Sequence, residues 1–118
     1  MINLEDVTKS YHDNIYALRE VSLSIGRGEC CFVLGPPGAG KTTLLKLLYG
    51  IEPPTGGKVT LLGRDVSRLR PSNIQALRRH MGFVFQDYRL IDSWTVYDNA
   101  AVILEILGKS PGYIRGRV

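Results

Sequence analysis

"GPPGAGKT", residues 35–42, fits the pattern G-x-x-x-x-G-K-[ST], with Gly35, Gly40, Lys41 and Thr42 in the required places. It reads as a phosphate-binding loop. In such a loop successive backbone N–H groups curl around phosphate oxygens, and glycines let the backbone come close and take positive φ. The helix that follows turns its positive end toward the anion. The nucleotide contacts expected here are Gly35, Pro36, Pro37, Gly38, Ala39, Gly40, Lys41, Thr42 and Thr43. Lys41 should reach the β and γ phosphates, and the Thr42 hydroxyl should ligate magnesium. A glycine-rich turn that binds nothing would have no packing use for a lysine between glycine and threonine at the start of a helix. Pro36 and Pro37 lack an N–H and cannot donate to a phosphate, but their fixed φ stiffens the loop.

The flanking sequence supplies the strand and helix that this loop needs. Before it, "GRGECCFVLG" holds a turn and the continuous apolar run Cys30 to Leu34, the pattern of a strand buried on both faces of a mostly parallel sheet. After it, Leu44, Leu47 and Leu48 fall at i, i+3 and i+4 and Gly50 supplies a stop, so "KTTLLKLLYG" predicts a short buried helix. Two β segments precede the loop: "INLEDVTKSY", and "VSLSI" with Val21, Leu23 and Ile25 in strict alternation, separated by an "HDN" turn.

Downstream, "EPPTGG" is a turn-forming linker, "KVTLLG" a strand, Pro71 to Arg79 a short helix and "MGFVFQ" another strand. In "TVYDNAAVILEILG" Thr95 and Asp98 form a T-x-x-D start, Val96, Ala100, Ile103, Leu104 and Leu107 one apolar stripe, and Gly108 with Pro111 the stop. "GYIRGRV" is too short to complete another element.

The chain has 118 residues, 44% hydrophobic and 22% charged, which suits one domain or part of one. It has no apolar run of about eighteen residues, and its start has no basic n-region with an apolar h-region, so a soluble, unprocessed chain is expected. Cys30 and Cys31 are adjacent, offer no zinc pattern, and read as small core residues in a reducing cytosol. The net charge of +4 comes largely from Arg64, Arg68, Arg70, Arg78 and Arg79. No aromatic residues interleave these arginines, so a solvated face is expected and no nucleic-acid partner. His12 and His80 have no metal-type partner near them and read as solvated or capping residues.

Kinases, GTPases, helicases, AAA-type motors and transport ATPases all carry the loop pattern, and double proline is familiar from the AAA class. Residues beyond the loop decide between them. The chain resembles the ATP-binding subunits of ABC transporters in Tyr11 of "KSY", the "LxxVSLSIxxGE" approach, "PTGGKVTLLGRDV", and "MGFVFQD" with Gln86 lying 45 residues after Lys41. "TVYDNAAVILEILG" is most like the branch that acts in cell division, while lipoprotein-release and small-molecule export ATPases share the rest.

The resemblance implies an α/β fold: a P-loop NTPase core of the ABC ATPase type with an N-terminal antiparallel β subdomain, truncated before the helical subdomain. Residues 1–118 would be the N-terminal portion of one nucleotide-binding domain, with its Q-loop around Gln86. It implies ATP and Mg2+ as ligands, Tyr11 stacked on adenine, and Gln86 reaching magnesium or the attacking water. It further implies a homodimer at the inner face of the membrane, with a transmembrane subunit docking near Leu90, Ile91 and Trp94. These three could equally be local core.

The family's "LSGGQ" signature, acidic strand, D-loop and switch histidine are not found in the 118 residues. A hydrolysing site needs the acidic residue to hold magnesium. The expectation is therefore Mg-nucleotide binding with little turnover. Readings left open are an AAA-type motor, a transport ATPase, and a partner-binding chain without catalysis.

Overall fold

The computed structural model describes residues 1–12 and 15–118. Asp13 and Asn14 of the expected "HDN" turn lie outside the described residues. The chain divides into two compact units, Met1–Phe83 and Val84–Val118.

The first unit is a four-stranded antiparallel sheet with two helices. β1 (Ile2–Tyr11), β2 (Ile15–Ile25), β3 (Gly56–Leu61) and β4 (Arg64–Asp65) lie in the order β2-β1-β3-β4. Leu4 of the central β1 faces Leu23 on one side and Val59 on the other. In a regular strand Leu4 and Val7 would point to opposite faces, yet both are buried. Register shifts between Leu4 and Val7 supply the extra residue. They sit at Asp6, whose φ is 49° and whose N–H donates to Ser22 Oγ at 3.0 Å. Such a bulge re-aims a side chain without ending the sheet.

α1 (Lys41–Leu48) lays Leu44, Leu47 and Leu48 on this sheet, and α2 (Pro71–Arg78) adds Leu77. Together with Leu4, Val7, Leu18, Val59, Leu61 and Val66 they form one core. The spacing of the three leucines on α1 and the half-buried alternation of Val21, Leu23 and Ile25 agree with the expectations from sequence. Arg78 fastens the far end of α1. Its Nε donates to the Tyr49 carbonyl and its Nη2 to the Gly50 carbonyl, both at 3.0 Å, satisfying acceptors that a helix end leaves unpaired.

Two expected strands do not form. Residues 30–34 and 81–86 have no ladder partner among the described residues. A parallel strand is stable only with neighbours to receive its N–H and C=O groups and cover its faces. Without them Phe32 is 81% exposed, Leu34 88% and Val84 86%, and Cys30 and Cys31 are exposed thiols instead of core residues. The two-residue β4 was not expected.

The second unit holds α3 (Val96–Ile106) and α4 (Pro111–Arg117), which pack on each other. The T-x-x-D start forms as read: Thr95 Oγ1 accepts from the Asp98 N–H, and Asp98 Oδ2 accepts from the Thr95 N–H, each at 3.1 Å. The stripe does not. Ala101 is the buried position of α3, whereas Val96, Ala100, Ile103 and Leu107 are exposed, because α4 supplies the only helical neighbour within this unit. α4 itself corrects the reading of "GYIRGRV". Ser110 caps it by accepting from the Tyr113 N–H, Pro111 opens it, and Ile114 is buried. Thr95→Ala should cost about 1 kcal/mol of stability through loss of the cap. Equal urea midpoints for variant and parent would count against the cap.

Candidate nucleotide-binding site

The loop of residues 35–40 takes its shape from backbone geometry that only certain residues allow. Gly38 and Gly40 are left-handed, with φ of 82° and 85°. A Cβ at Gly40 would run into the Ala17 carbonyl oxygen and stand 3.0 Å from Leu18 Cδ2, so β2 also demands glycine here. The Ala39 N–H donates to the Pro36 carbonyl at 3.2 Å and closes the turn.

Lys41 reaches back over this turn. Its Nζ donates to the Gly35 carbonyl at 2.7 Å and the Pro36 carbonyl at 2.9 Å. Its partners are neutral, and among the described residues no carboxylate lies within ion-pair reach of it. An anion would therefore compete well for this ammonium.

The start of α1 points the same way. α3 and α4 are capped by Thr95 and Ser110, and α2 opens with a proline that has no N–H to satisfy. α1 has glycine at its N-cap, no side-chain cap and no acid in its first turn. The amides of Lys41, Thr42 and Thr43 have no acceptor one turn earlier in the helix, and the positive end of the helix is uncompensated. Thr42 is exposed there and Thr43 half-buried.

Tyr11, at the end of β1, belongs to the same unit as the loop. Its hydroxyl donates to Glu52 Oε2 at 2.6 Å, and the side chain of Thr43 stands beside it. Lys46 of α1 donates to Glu52 Oε1 at 3.1 Å, and Lys9 lies 3.5 Å from Glu52 Oε2. Burial, then the Glu52 carboxylate, pushes the Tyr11 phenol above its ordinary value. The Tyr11 hydroxyl, ahead of Lys46 and Lys9, holds the Glu52 carboxyl below the usual carboxylate range.

The signs follow. The lowered Glu52 contributes stability that is present at neutral pH and is lost as acid carries it through its folded value. The raised Tyr11 contributes stability that is lost only as alkali carries it through its own. Glu52→Gln should flatten the acid limb of the urea midpoint plotted against pH. An unchanged acid limb would remove Glu52 from the account.

Glu52 and Lys46 were missed by sequence reading, since a carboxylate in a proline-rich linker and a helical lysine look like solvated charges.

Gln86 lies in the second unit, exposed, in a turn where the Tyr88 N–H donates to the Phe85 carbonyl at 3.0 Å. In the same unit Leu90, Ile91 and Trp94 line an open cleft of about 410 Å³ with Val96, Asn99 and Ala100. They are 63%, 42% and 42% exposed. Asn99 shapes this cleft and was also missed. Its Oδ1 accepts from the Ile91 N–H at 2.8 Å, and its Nδ2 donates to the Ile91 carbonyl at 3.1 Å and the Thr95 carbonyl at 3.0 Å. Among the described residues no helix is long and apolar enough to cross a membrane, and no group of three His, Cys, Asp or Glu could hold a metal.

A glycine loop with an uncapped helix behind it thus stands beside a bulged antiparallel sheet. A family model described as ABC transporter matches residues 18–115, and the chain belongs to that family. Over all 118 residues it is 46% identical to the cell division ATP-binding protein FtsE of Escherichia coli K12 and 39% identical to that of Bacillus subtilis. It is 43% identical over 121 aligned positions to the methionine import ATP-binding protein MetN of Symbiobacterium thermophilum, covering 36% of that protein.

Among solved structures, the dimer of the bacterial ABC transporter cassette MJ0796 aligns with a TM-score of 0.91 and 35% identity, covering 99% of this chain and 53% of that one. A post-hydrolysis dimer of MJ0796 bound to ADP and Pi aligns with a TM-score of 0.90 and 34% identity. The fold is thus that of ABC ATPases. The chain spans about half the length of its FtsE relatives, 52% and 53% in these two cases.

Proposed function

We propose that this chain is the ATP-binding side of an ABC-type complex that works with a transmembrane subunit of the FtsX type in cell division. By itself it binds Mg-nucleotide and turns it over little. The observation that carries the nucleotide reading is the start of α1, where uncapped amides and the Lys41 ammonium converge on one loop. In this reading Lys41 moves from the Gly35 and Pro36 carbonyls to the β and γ phosphates, and residues 35–43 wrap the rest of the triphosphate through backbone N–H groups. Pro36 and Pro37 have no N–H to offer a phosphate and contribute the stiffness of their fixed φ. Tyr11 stacks on the adenine, worth about 1–3 kcal/mol.

The Thr42 hydroxyl is an exposed hard oxygen donor at the start of α1, and a single such donor suits magnesium, which keeps water and phosphate oxygens as most of its ligands. Bound there, the ion would neutralise charge on the phosphates. Gln86 would orient the attacking water in a complete site.

We assign docking of the transmembrane subunit to the cleft at Leu90, Ile91 and Trp94, large apolar side chains that stand partly exposed there. The protein then acts peripherally at the cytoplasmic face of the membrane, as a dimer, without nucleic acid. The FtsE relatives favour division, and the MetN relative supports a second reading, a transport ATPase. Titration of the folded chain with labelled Mg·ATP should give a saturable signal that unlabelled Mg·ATP displaces. No saturable signal would end the nucleotide reading, and hydrolysis at rates typical of complete ATPases would end the claim of little turnover. Co-purification with an FtsX-type subunit, lost in Trp94→Ser, separates division from transport.

A further inference from the structure

Glu52 lies in the linker between α1 and β3, where three elements meet. It accepts from the Tyr11 hydroxyl of β1 and from Lys46 of α1, while Lys9 of β1 approaches from the side. Lys9 is itself held by the Pro53 carbonyl at 2.9 Å and stands 5.2 Å from the centroid of the Tyr11 ring. The cluster is sheltered: the side chains of Lys9 and Glu52 are only 12% and 24% exposed. A bond from a hydroxyl to a carboxylate at 2.6 Å is charge-assisted and short enough to fix the ring's direction.

We propose that Glu52 is a positioning residue for the nucleotide base. It holds the Tyr11 phenol and, through Lys46, ties that ring to the helix that follows the phosphate loop. This rests on the reading of Tyr11 as the adenine contact. A ring ordered beforehand loses less freedom when the base arrives, so the bond raises affinity for the base without touching the nucleotide. It also keeps a set spacing between the surface that takes the base and the surface that takes the phosphates. The groups facing Glu52 are Tyr11 and Lys9 from β1 and Lys46 from α1.

The test compares affinities for Mg·ATP and for Mg·tripolyphosphate, which has no base, and reads their ratio. Glu52→Gln and Tyr11→Phe should each lower the ratio about three- to tenfold, and the double variant no further than the stronger single, since the first takes the charge from the bond that the second removes. In the parent protein the ratio should fall as acid protonates Glu52, and Glu52→Gln should lack that fall. A ratio unmoved by both single variants, or an acid profile that persists in Glu52→Gln, overturns the proposal. Tyr11→Ala separates the two levels. A lowered ratio there, with Glu52→Gln and Tyr11→Phe at the parent value, keeps stacking and removes the positioning role. An unchanged ratio in Tyr11→Ala removes both. If Glu52→Gln does not fold, Tyr11→Phe and the acid profile of the parent decide.

Discussion

Replacing Lys41 with alanine is expected to weaken Mg·ATP binding by about 2–3 kcal/mol, or ~30- to 150-fold, the loss of a hydrogen-bonded ammonium from a phosphate. The effect should be nearly as large for tripolyphosphate, because the ammonium acts on the phosphate chain and has no part in holding the base. Stability should change by less than about 1 kcal/mol, since the two bonds lost go to carbonyls that water can reach. The diagnostic pattern is thus a large loss of affinity with little shift in urea midpoint. Comparable affinities for parent and variant would mean that the loop does not use its lysine as its geometry indicates.

Gly40→Ala should do the reverse, with its first effect on the fold. The position needs φ of 85°, and the added methyl would meet the Ala17 carbonyl of β2. The left-handed conformation and the clash together should cost about 3 kcal/mol. Either α1 shifts away from β2 or the loop opens, so nucleotide affinity falls as well. Together the two variants separate a charge that binds from a backbone position that lets the binding surface exist. A Gly40→Ala protein with the parent's urea midpoint would show that α1 can start elsewhere without penalty.

Much of this was legible in the sequence because it depends on local chemistry. Gly40, Lys41 and Thr42 announce the loop by residue type and spacing alone. Thr95 and Asp98 announce a helix start because a capping box is closed within four residues. The leucines at 44, 47 and 48 need only one face to rest on. The run at 30–34 failed for the opposite reason. Its hydrophobicity reports that it suits burial, but forming a strand depends on what lies beside it, and the described residues place nothing there.

α4 was not expected because Gly108 with Pro111 reads as a stop, although serine followed by proline also opens helices. Glu52 and Asn99 were invisible for a different reason. Each acts through partners, Tyr11 at 41 residues' separation and the Ile91 backbone at eight, which only the folded chain brings together.

The uncapped start of α1 has a practical consequence for anyone measuring this protein. An oxyanion that settles on those amides binds the native chain alone, and by linkage it raises the melting temperature in step with its concentration. Sulfate or phosphate in the buffer should therefore make the protein look hardier than chloride does at matched ionic strength. The gap between the two salts gauges how strongly the loop prefers a tetrahedral guest.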